Sequence, residues 1–195
     1  MLDPGLFYAL RVGALLELVC VDTSWGADAG VHDFEHERAQ RWLGQVLPPR
    51  RSADPDLVWR IPFCHHPAYC AGPHHGNMPA QIDALVPLYR RAGVRLVLSG
   101  HEHNFQHGVV DGIHHLVSGA AGKLQDDPPT RWDDAGTVGW ASVAHCLLVE
   151  VAPDHVTVTP YGMIDEGEEP SPVAVHDRDG APVDARIVIR REAST

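Results

Sequence analysis

The segment that most constrains the fold is a short apolar run at residues 94–98, followed directly by Ser-Gly-His-Glu-His-Asn. A run of this length bounded by a glycine is typical of a buried β-strand that ends at the edge of a sheet. In an extended chain His101 and His103 point to the same side, because side chains alternate with period two. We expect Gly100 to provide a sharp backbone turn there. Since neutral imidazoles are common ligands of transition-metal ions, the pattern predicts a metal site at a strand end.

A second pair of histidines, His65 and His66, follows another apolar run at residues 57–64. A lone His-x-His motif is equally typical of two exposed loop histidines. A second strand end that carries histidines makes a shared metal site the better interpretation. Pro62 lies inside this run, and because proline donates no hydrogen bond to a neighbouring strand, we expect a local disturbance there.

The rest of the chain predicts a mixture of strands and helices. An apolar stretch at residues 13–21 predicts a buried strand that ends before Asp22. One helix is predicted from Asp33, as its N-cap, to Leu47, and another from residue 79 to Gly93, with Pro87 expected to kink or restart it. Residues 126–139 are expected to be irregular. Further strands are predicted at residues 113–117, 143–151 and 155–159, the last two as a hairpin, and a final hairpin around residues 178–180.

Composition excludes several classes of function. The chain has 195 residues, which is enough for one domain with a sizeable core. Its formal net charge of −11 argues against a nucleic acid or an anionic membrane as partner. No stretch reaches the roughly 18 apolar residues of a membrane span, and the first residues do not resemble a signal peptide, so the sequence leaves the localisation open.

The four cysteines show no C-x-x-C spacing, and three of them lie in apolar runs. This pattern predicts free thiols rather than a disulfide framework. Cys64 and Cys70 flank the first histidine pair and leave a zinc site as an alternative interpretation.

The two histidine segments together resemble the C-terminal half of the calcineurin-like metallophosphoesterases. The resemblance rests on His-His-Pro-Ala-Tyr after one strand and Ser-Gly-His-Glu-His-Asn after the next, and it extends from about Tyr8 to about Gly122. Within the superfamily the chain is most similar to purple acid phosphatases, including the tartrate-resistant type. The resemblance implies an α/β fold: the C-terminal half of a four-layer α/β/β/α sandwich, with a mixed sheet, flanking helices and C-terminal β-hairpins. We expect this domain over residues 1–165 and an acidic tail over residues 166–195.

The resemblance also implies a metal-dependent phosphoester hydrolase. The family uses a dinuclear centre of Fe, Zn or Mn. By resemblance, His65 and His101 ligate one ion and His103 the other, while His66 occupies a variable position next to the ligand.

Two further histidines receive roles from the same resemblance. His74 lies nine residues after His65, where purple acid phosphatases carry a histidine near the leaving group, which implies a catalytic proton donor. His75 would bind phosphate oxygens. Without the resemblance, both would be interpreted as exposed loop histidines.

Three family segments are not found in the sequence: D-x-H, G-D-x-x-D or G-D-x-x-Y, and G-N-H-D/E. They supply the bridging aspartate, other carboxylates and an asparagine, so we expect at most one weakly held metal ion here. The leading hypothesis is a truncated hydrolase of small-molecule phosphoesters that lacks its N-terminal half. The alternatives are a non-enzymatic remnant that binds one ion through three histidines, and an interaction module completed by another chain.

Overall fold

In a computed structural model of the chain, residues 7–23, 36–49, 59–162 and 169–191 are described. They form three layers, namely a helix pair, a nine-stranded mixed sheet and a three-stranded sheet. The elements in chain order are β1 (Phe7–Val12), β2 (Leu16–Val21), α1 (His36–Val46), β3 (Trp59–Cys64), α2 (Pro79–Arg91), β4 (Leu96–Ser99), β5 (Phe105–Val110), β6 (Ile113–Ser118), β7 (Thr137–Ala141), β8 (His145–Val151), β9 (His155–Gly162), β10 (Val175–His176), β11 (Pro182–Val183) and β12 (Ile187–Arg190).

Within these ranges the large sheet has the strand order β1-β2-β3-β4-β6-β5-β7-β10-β11. Strands β2, β3, β4 and β6 are parallel neighbours. Their carboxyl ends therefore meet at one edge of the sheet, which is where ligands bind in open α/β sheets. The small sheet has the order β12-β9-β8 and is antiparallel.

Each face of the large sheet is covered by its own hydrophobic core. On one face Leu43 of α1 and Leu85 of α2 pack with Val19 of β2. On the other face Leu116 of β6 packs with Ile189 of the small sheet. Burial on both faces explains why the parallel strands are nearly continuous apolar runs in the sequence.

The predicted fold class is confirmed: the structure is α/β, with a mixed sheet, flanking helices and C-terminal hairpins. The structure also confirms that a glycine ends the second helix. Gly93 has φ +70°, and the N–H of Val94 donates to the carbonyl of Tyr89. This is the hydrogen bond of a Schellman motif.

Neither proline interrupts its element, so the expected restart of the second helix at Pro87 is wrong, whereas the disturbance expected at Pro62 is seen in the pairing of β3 with β4. Helix α2 runs without a break from Pro79 to Arg91 although it contains Pro87. Strand β3 is continuous through Pro62, which aligns with Val19 of β2. The ladder between β3 and β4 begins only at Phe63, so the proline precedes the part of β3 that has a partner on both sides.

Four strands of the described ranges are not predicted from the sequence, and one of them has a clear local signal. Strand β5 forms a hairpin with β6 in which Val110 is opposite Ile113. The two connecting residues, Asp111 and Gly112, have φ of +49° and +74°, as in a type I′ turn. Asp-Gly between apolar residues is a strong hairpin signal, and this signal could have predicted the turn. Strand β7 begins inside the stretch that was expected to be irregular, and β1 and β12 were the other two unpredicted strands.

The predicted boundary between the domain and the tail falls in residues 163–168, outside the described ranges, and the division remains a prediction. Strands β10 and β11 belong to the large sheet and β12 to the small one. The predicted N-cap Asp33 also lies outside the described residues. Of the helices in the described ranges, none is both long and apolar enough to cross a membrane.

Candidate metal centre

Three histidines converge at the carboxyl edge of the parallel strands. His65 and His66 follow β3, and His101 follows β4. Each offers one ligand atom that lies within 4.8 Å of the other two. The two strand ends are joined by the N–H of Gly100, which donates to the carbonyl of His65 at 3.0 Å. Pairing of neighbouring parallel strands therefore brings together residues 36 positions apart in the sequence.

The backbone turn that directs the His101 ring lies one residue later than expected. His101 itself has φ +69°, in the left-handed region that side chains other than glycine rarely adopt. Gly100 is not in that region, and a Cβ there would make only ordinary contacts, the nearest at 3.8 Å. Strained backbone of this kind concentrates at functional sites, because surrounding packing must maintain it.

The buried ring of His66 is oriented by Thr23, the second residue after β2. The Nδ1 atom of His66 lies 3.2 Å from the Thr23 hydroxyl oxygen, which also accepts from the His66 backbone N–H at 2.9 Å. In the tautomer in which Nδ1–H donates to that oxygen, the Nε2 lone pair remains available to a ligand. A hydrogen bond to the far ring nitrogen is the usual way in which proteins orient metal-binding histidines.

One histidine of the cluster, His101, is held in its neutral form. Burial, and after it the charges of neighbouring histidines led by His75, together lower the pKa of His101 to about 4. His101 is therefore neutral at pH 7, which is the form that binds metals.

The donor set fits one transition-metal ion. The Nδ1 atom of His101 lies 3.2 Å from the Nε2 atom of His65. Two nitrogen ligands at about 2.0–2.1 Å from a tetrahedral zinc ion are about 3.3 Å apart, close to this separation. In the described part of the chain no carboxylate joins the cluster, so these residues do not make a dinuclear centre.

His103 is not a member of the cluster, whereas His66, for which the resemblance implies only a variable position next to the ligand, is a member. The rule of alternation that paired His101 with His103 applies within a strand, but β4 ends at Ser99. The carbonyl of His103 accepts from the N–H of Gln125 at 2.8 Å. The ligand role of His103 remains a prediction.

A cleft of about 490 Å³ opens beside the cluster and contains both histidines of the loop before α2. The His75 ring lies 3.8 Å from the His101 ring, centroid to centroid, and His74 is exposed. The roles of His74 and His75 remain predictions, although both lie where a bound substrate would reach them. The lining residues are His66, Pro67, His74, His75, Gly76, Asn77, Met78, Pro79, Ala80 and His101.

The cysteines do not take part in the cluster. Cys20, Cys64, Cys70 and Cys146 are free thiols, as predicted. Burial raises the pKa of Cys64 to about 12 and that of Cys70 to about 11. Both thiols are therefore protonated at neutral pH, which does not favour the alternative of a cysteine-bound zinc ion.

Comparison of the sequence with protein-family models and with curated proteins gave no match. Solved structures do match in fold. One is GAP50, the anchor in the inner membrane complex of Plasmodium, with TM-score 0.66 and 16% identity over 96% of this chain. Another is the purple acid phosphatase PPD1 of yellow lupin, with TM-score 0.62 and 14% identity over 95%. A third is a dimetal phosphatase from Danio rerio, with TM-score 0.53 and 14% identity over 95%.

These likenesses establish a metallophosphoesterase-type fold, and at such low identity they establish the fold alone. The chain spans 54% of the length of GAP50, 33% of the lupin enzyme and 60% of the Danio rerio phosphatase. A specific similarity to purple acid phosphatases remains a prediction. The assignment to the C-terminal half of the family fold also remains a prediction.

Proposed function

We propose that the chain carries one side of a metal-dependent phosphoester hydrolase site, in which His65, His66 and His101 hold a single transition-metal ion. The observation that supports this proposal best is the convergence of three histidines within 4.8 Å at the carboxyl edge of the parallel strands. The metallophosphoesterase-type fold supports phosphoester chemistry, and the histidine cluster supports a bound metal ion.

When bound, such an ion polarises a phosphoryl oxygen and lowers the pKa of a bound water molecule. The residues of this chain then have distinct tasks. Thr23 orients His66, and the His75 ring beside His101 faces the phosphate oxygens. His74, exposed at the cleft, is the proposed donor of the proton that a departing alkoxide needs.

A complete site requires carboxylate ligands, and the described residues place none in the cluster. We propose that these ligands come from the complementary half of the fold, as in purple acid phosphatases, supplied by further polypeptide or by another chain. The substrate in this proposal is a small phosphoester. By the family pattern, His103 would bind the second metal ion once the complementary half completes the site.

The test is hydrolysis of p-nitrophenyl phosphate by the chain alone and by the chain joined to an N-terminal half bearing D-x-H, G-D and G-N-H segments. We expect activity that depends on metal only in the joined protein, and its loss in His101→Ala. With an alkyl phosphate, whose leaving group needs a proton, His74→Ala should lower the rate by roughly 10²–10⁴-fold, and the loss should be smaller with p-nitrophenyl phosphate, whose leaving group departs without one. Equal activity of the joined wild type and its His101→Ala variant would overturn the proposal.

A second candidate is a binding module that holds one ion without turnover. Two observations favour it: the cluster has three imidazoles and no carboxylate among the described residues, and the same fold serves as an anchor in GAP50. Tight metal binding by the joined protein without any hydrolysis would select this candidate.

A further inference from the structure

A buried carboxylate directly follows His101, a member of the histidine cluster, in the sequence. Glu102 lies between His101 and His103 in the sequence, and the residue is only 1% exposed. Its carboxylate is directed at the loop before α2, where the Oε2 atom accepts a hydrogen bond from the backbone N–H of His75 at 3.1 Å. The segment that carries a cluster histidine thus also holds the loop that carries His74 and His75.

The contact between Glu102 and this loop requires a glycine. A Cβ on Gly72 would lie 2.3 Å from the Cδ atom of Glu102 and 2.5 Å from its Oε1 atom, distances that real Cβ atoms essentially never show. The backbone of the loop therefore packs directly on the carboxylate. A side chain at position 72 would push either Glu102 or the loop out of place.

The same loop is fastened from its other side by Arg131. The Nη1 atom of Arg131 donates to the carbonyl of Gly72 at 2.8 Å and to that of His75 at 3.5 Å. The N–H of Thr130 donates to the carbonyl of Ala71 at 2.9 Å. Glu102 thus accepts a hydrogen bond from the loop, and Arg131 donates hydrogen bonds to it. The two side chains together fix the position of the loop.

The burial of Glu102 is costly for the fold. Its Oε1 atom has no hydrogen-bond partner among the described residues, and an unpaired buried oxygen of a carboxylate destabilises the folded state. An apolar residue of similar size would fill the space without this cost. A glutamate here is therefore better explained by what it holds than by packing.

We propose that Glu102 is a positioning residue that holds residues 72–75 against the cluster and so fixes the His75 ring over His101. The ring separation of 3.8 Å between His75 and His101 is the geometry that this contact maintains. The consequence for phosphate binding rests on the function proposed above, whereas the positioning itself does not.

The positioning is tested in the metal-free chain by NMR. In the wild type we expect cross-relaxation between the ring protons of His75 and His101, and we expect the His75 amide to exchange at least about tenfold more slowly than the His74 amide. Glu102→Gln keeps an acceptor and should preserve the ring contact, whereas Glu102→Ala and Gly72→Ala should both lose it. Glu150→Ala, at an exposed glutamate of β8, is the control and should change nothing.

The link to function is tested by titrating inorganic phosphate into the Co²⁺-loaded chain. Glu102→Ala should weaken phosphate binding roughly tenfold, and should have no further effect in a His75→Ala background, because the two residues act through one contact. Loss of the ring contact in Glu102→Gln, its persistence in Glu102→Ala, or equal exchange of the two amides would overturn the positioning role. A wild type that shows the contact but binds neither Co²⁺ nor phosphate would count against the proposed function and leave the positioning supported.

Discussion

The Nε2 atom of His107 lies 2.9 Å from the Nδ1 atom of His114, and the two rings are stacked with an interplanar angle of 11°. The pair joins β5 to β6 on the face opposite the helices. Burial lowers the pKa of both imidazoles, and together with the smaller effect of His114 on His107 and of Arg95 on His114 it brings both values to about 4.

This pair makes the folded chain sensitive to acid. Between about pH 4 and 6.5 the unfolded chain binds protons at these histidines that the folded chain does not, so the stability falls as the pH drops below 6.5. We expect a lower urea midpoint at pH 5.0 than at pH 7.5, and a smaller difference in the double variant His107→Gln, His114→Gln. Equal pH dependence in wild type and variant would show that the pair does not titrate in this way.

The hydroxyl of Thr23 is expected to matter for metal binding although it is not a ligand. Thr23→Val keeps the shape of the side chain but removes the oxygen that orients His66. Removing such a partner typically weakens metal affinity by about 10–100-fold. A Co²⁺ titration followed by absorption measures the change, and Thr23→Ser, which keeps the hydroxyl, is the control. An unchanged affinity in Thr23→Val would mean that the orientation of His66 is set by packing alone.

Strand β1 forms an edge of the large sheet in the described part of the chain, and Tyr8, Leu10 and Val12 on it are 42%, 52% and 46% exposed. An apolar face on a sheet edge favours association with another surface. We expect the isolated chain to bind a hydrophobic dye and to self-associate, and Leu10→Lys to reduce both.

The control for this prediction is a measurement of the free energy of unfolding of the wild type and of Leu10→Lys. Because Leu10 is exposed, Leu10→Lys should change the free energy of unfolding by no more than about 0.5 kcal/mol. A monodisperse wild-type monomer that binds no dye would contradict the prediction and indicate a self-sufficient surface.

The sequence predicted those parts of the fold in which burial is continuous along a strand. Strands β2, β3 and β4 are covered on both faces, so their apolar runs are unambiguous. Strand β1 is largely exposed and carries no such signal. The proximity of His65 and His101 was predictable because both follow neighbouring parallel strands.

The finer composition of the cluster was not predictable from local pattern. Side chains alternate only within a strand, and His66 follows the end of β3. Alternation therefore could not place His66 in the cluster. It also could not exclude His103, which follows the left-handed turn at His101. The contact between Glu102 and Gly72 joins residues far apart in the sequence. Such a contact depends on how the loops pack, which neither composition nor periodicity records.

The central claim is a single metal site made by three histidines, and the most direct measurement is the stoichiometry and ligand dependence of Co²⁺ binding. We predict about one weakly held ion per chain. Binding should be lost in His65→Ala, His66→Ala and His101→Ala, and retained in His103→Ala, because His103 lies outside the cluster. Two tightly held ions after dialysis, or one ion that His66→Ala leaves in place, would contradict this claim.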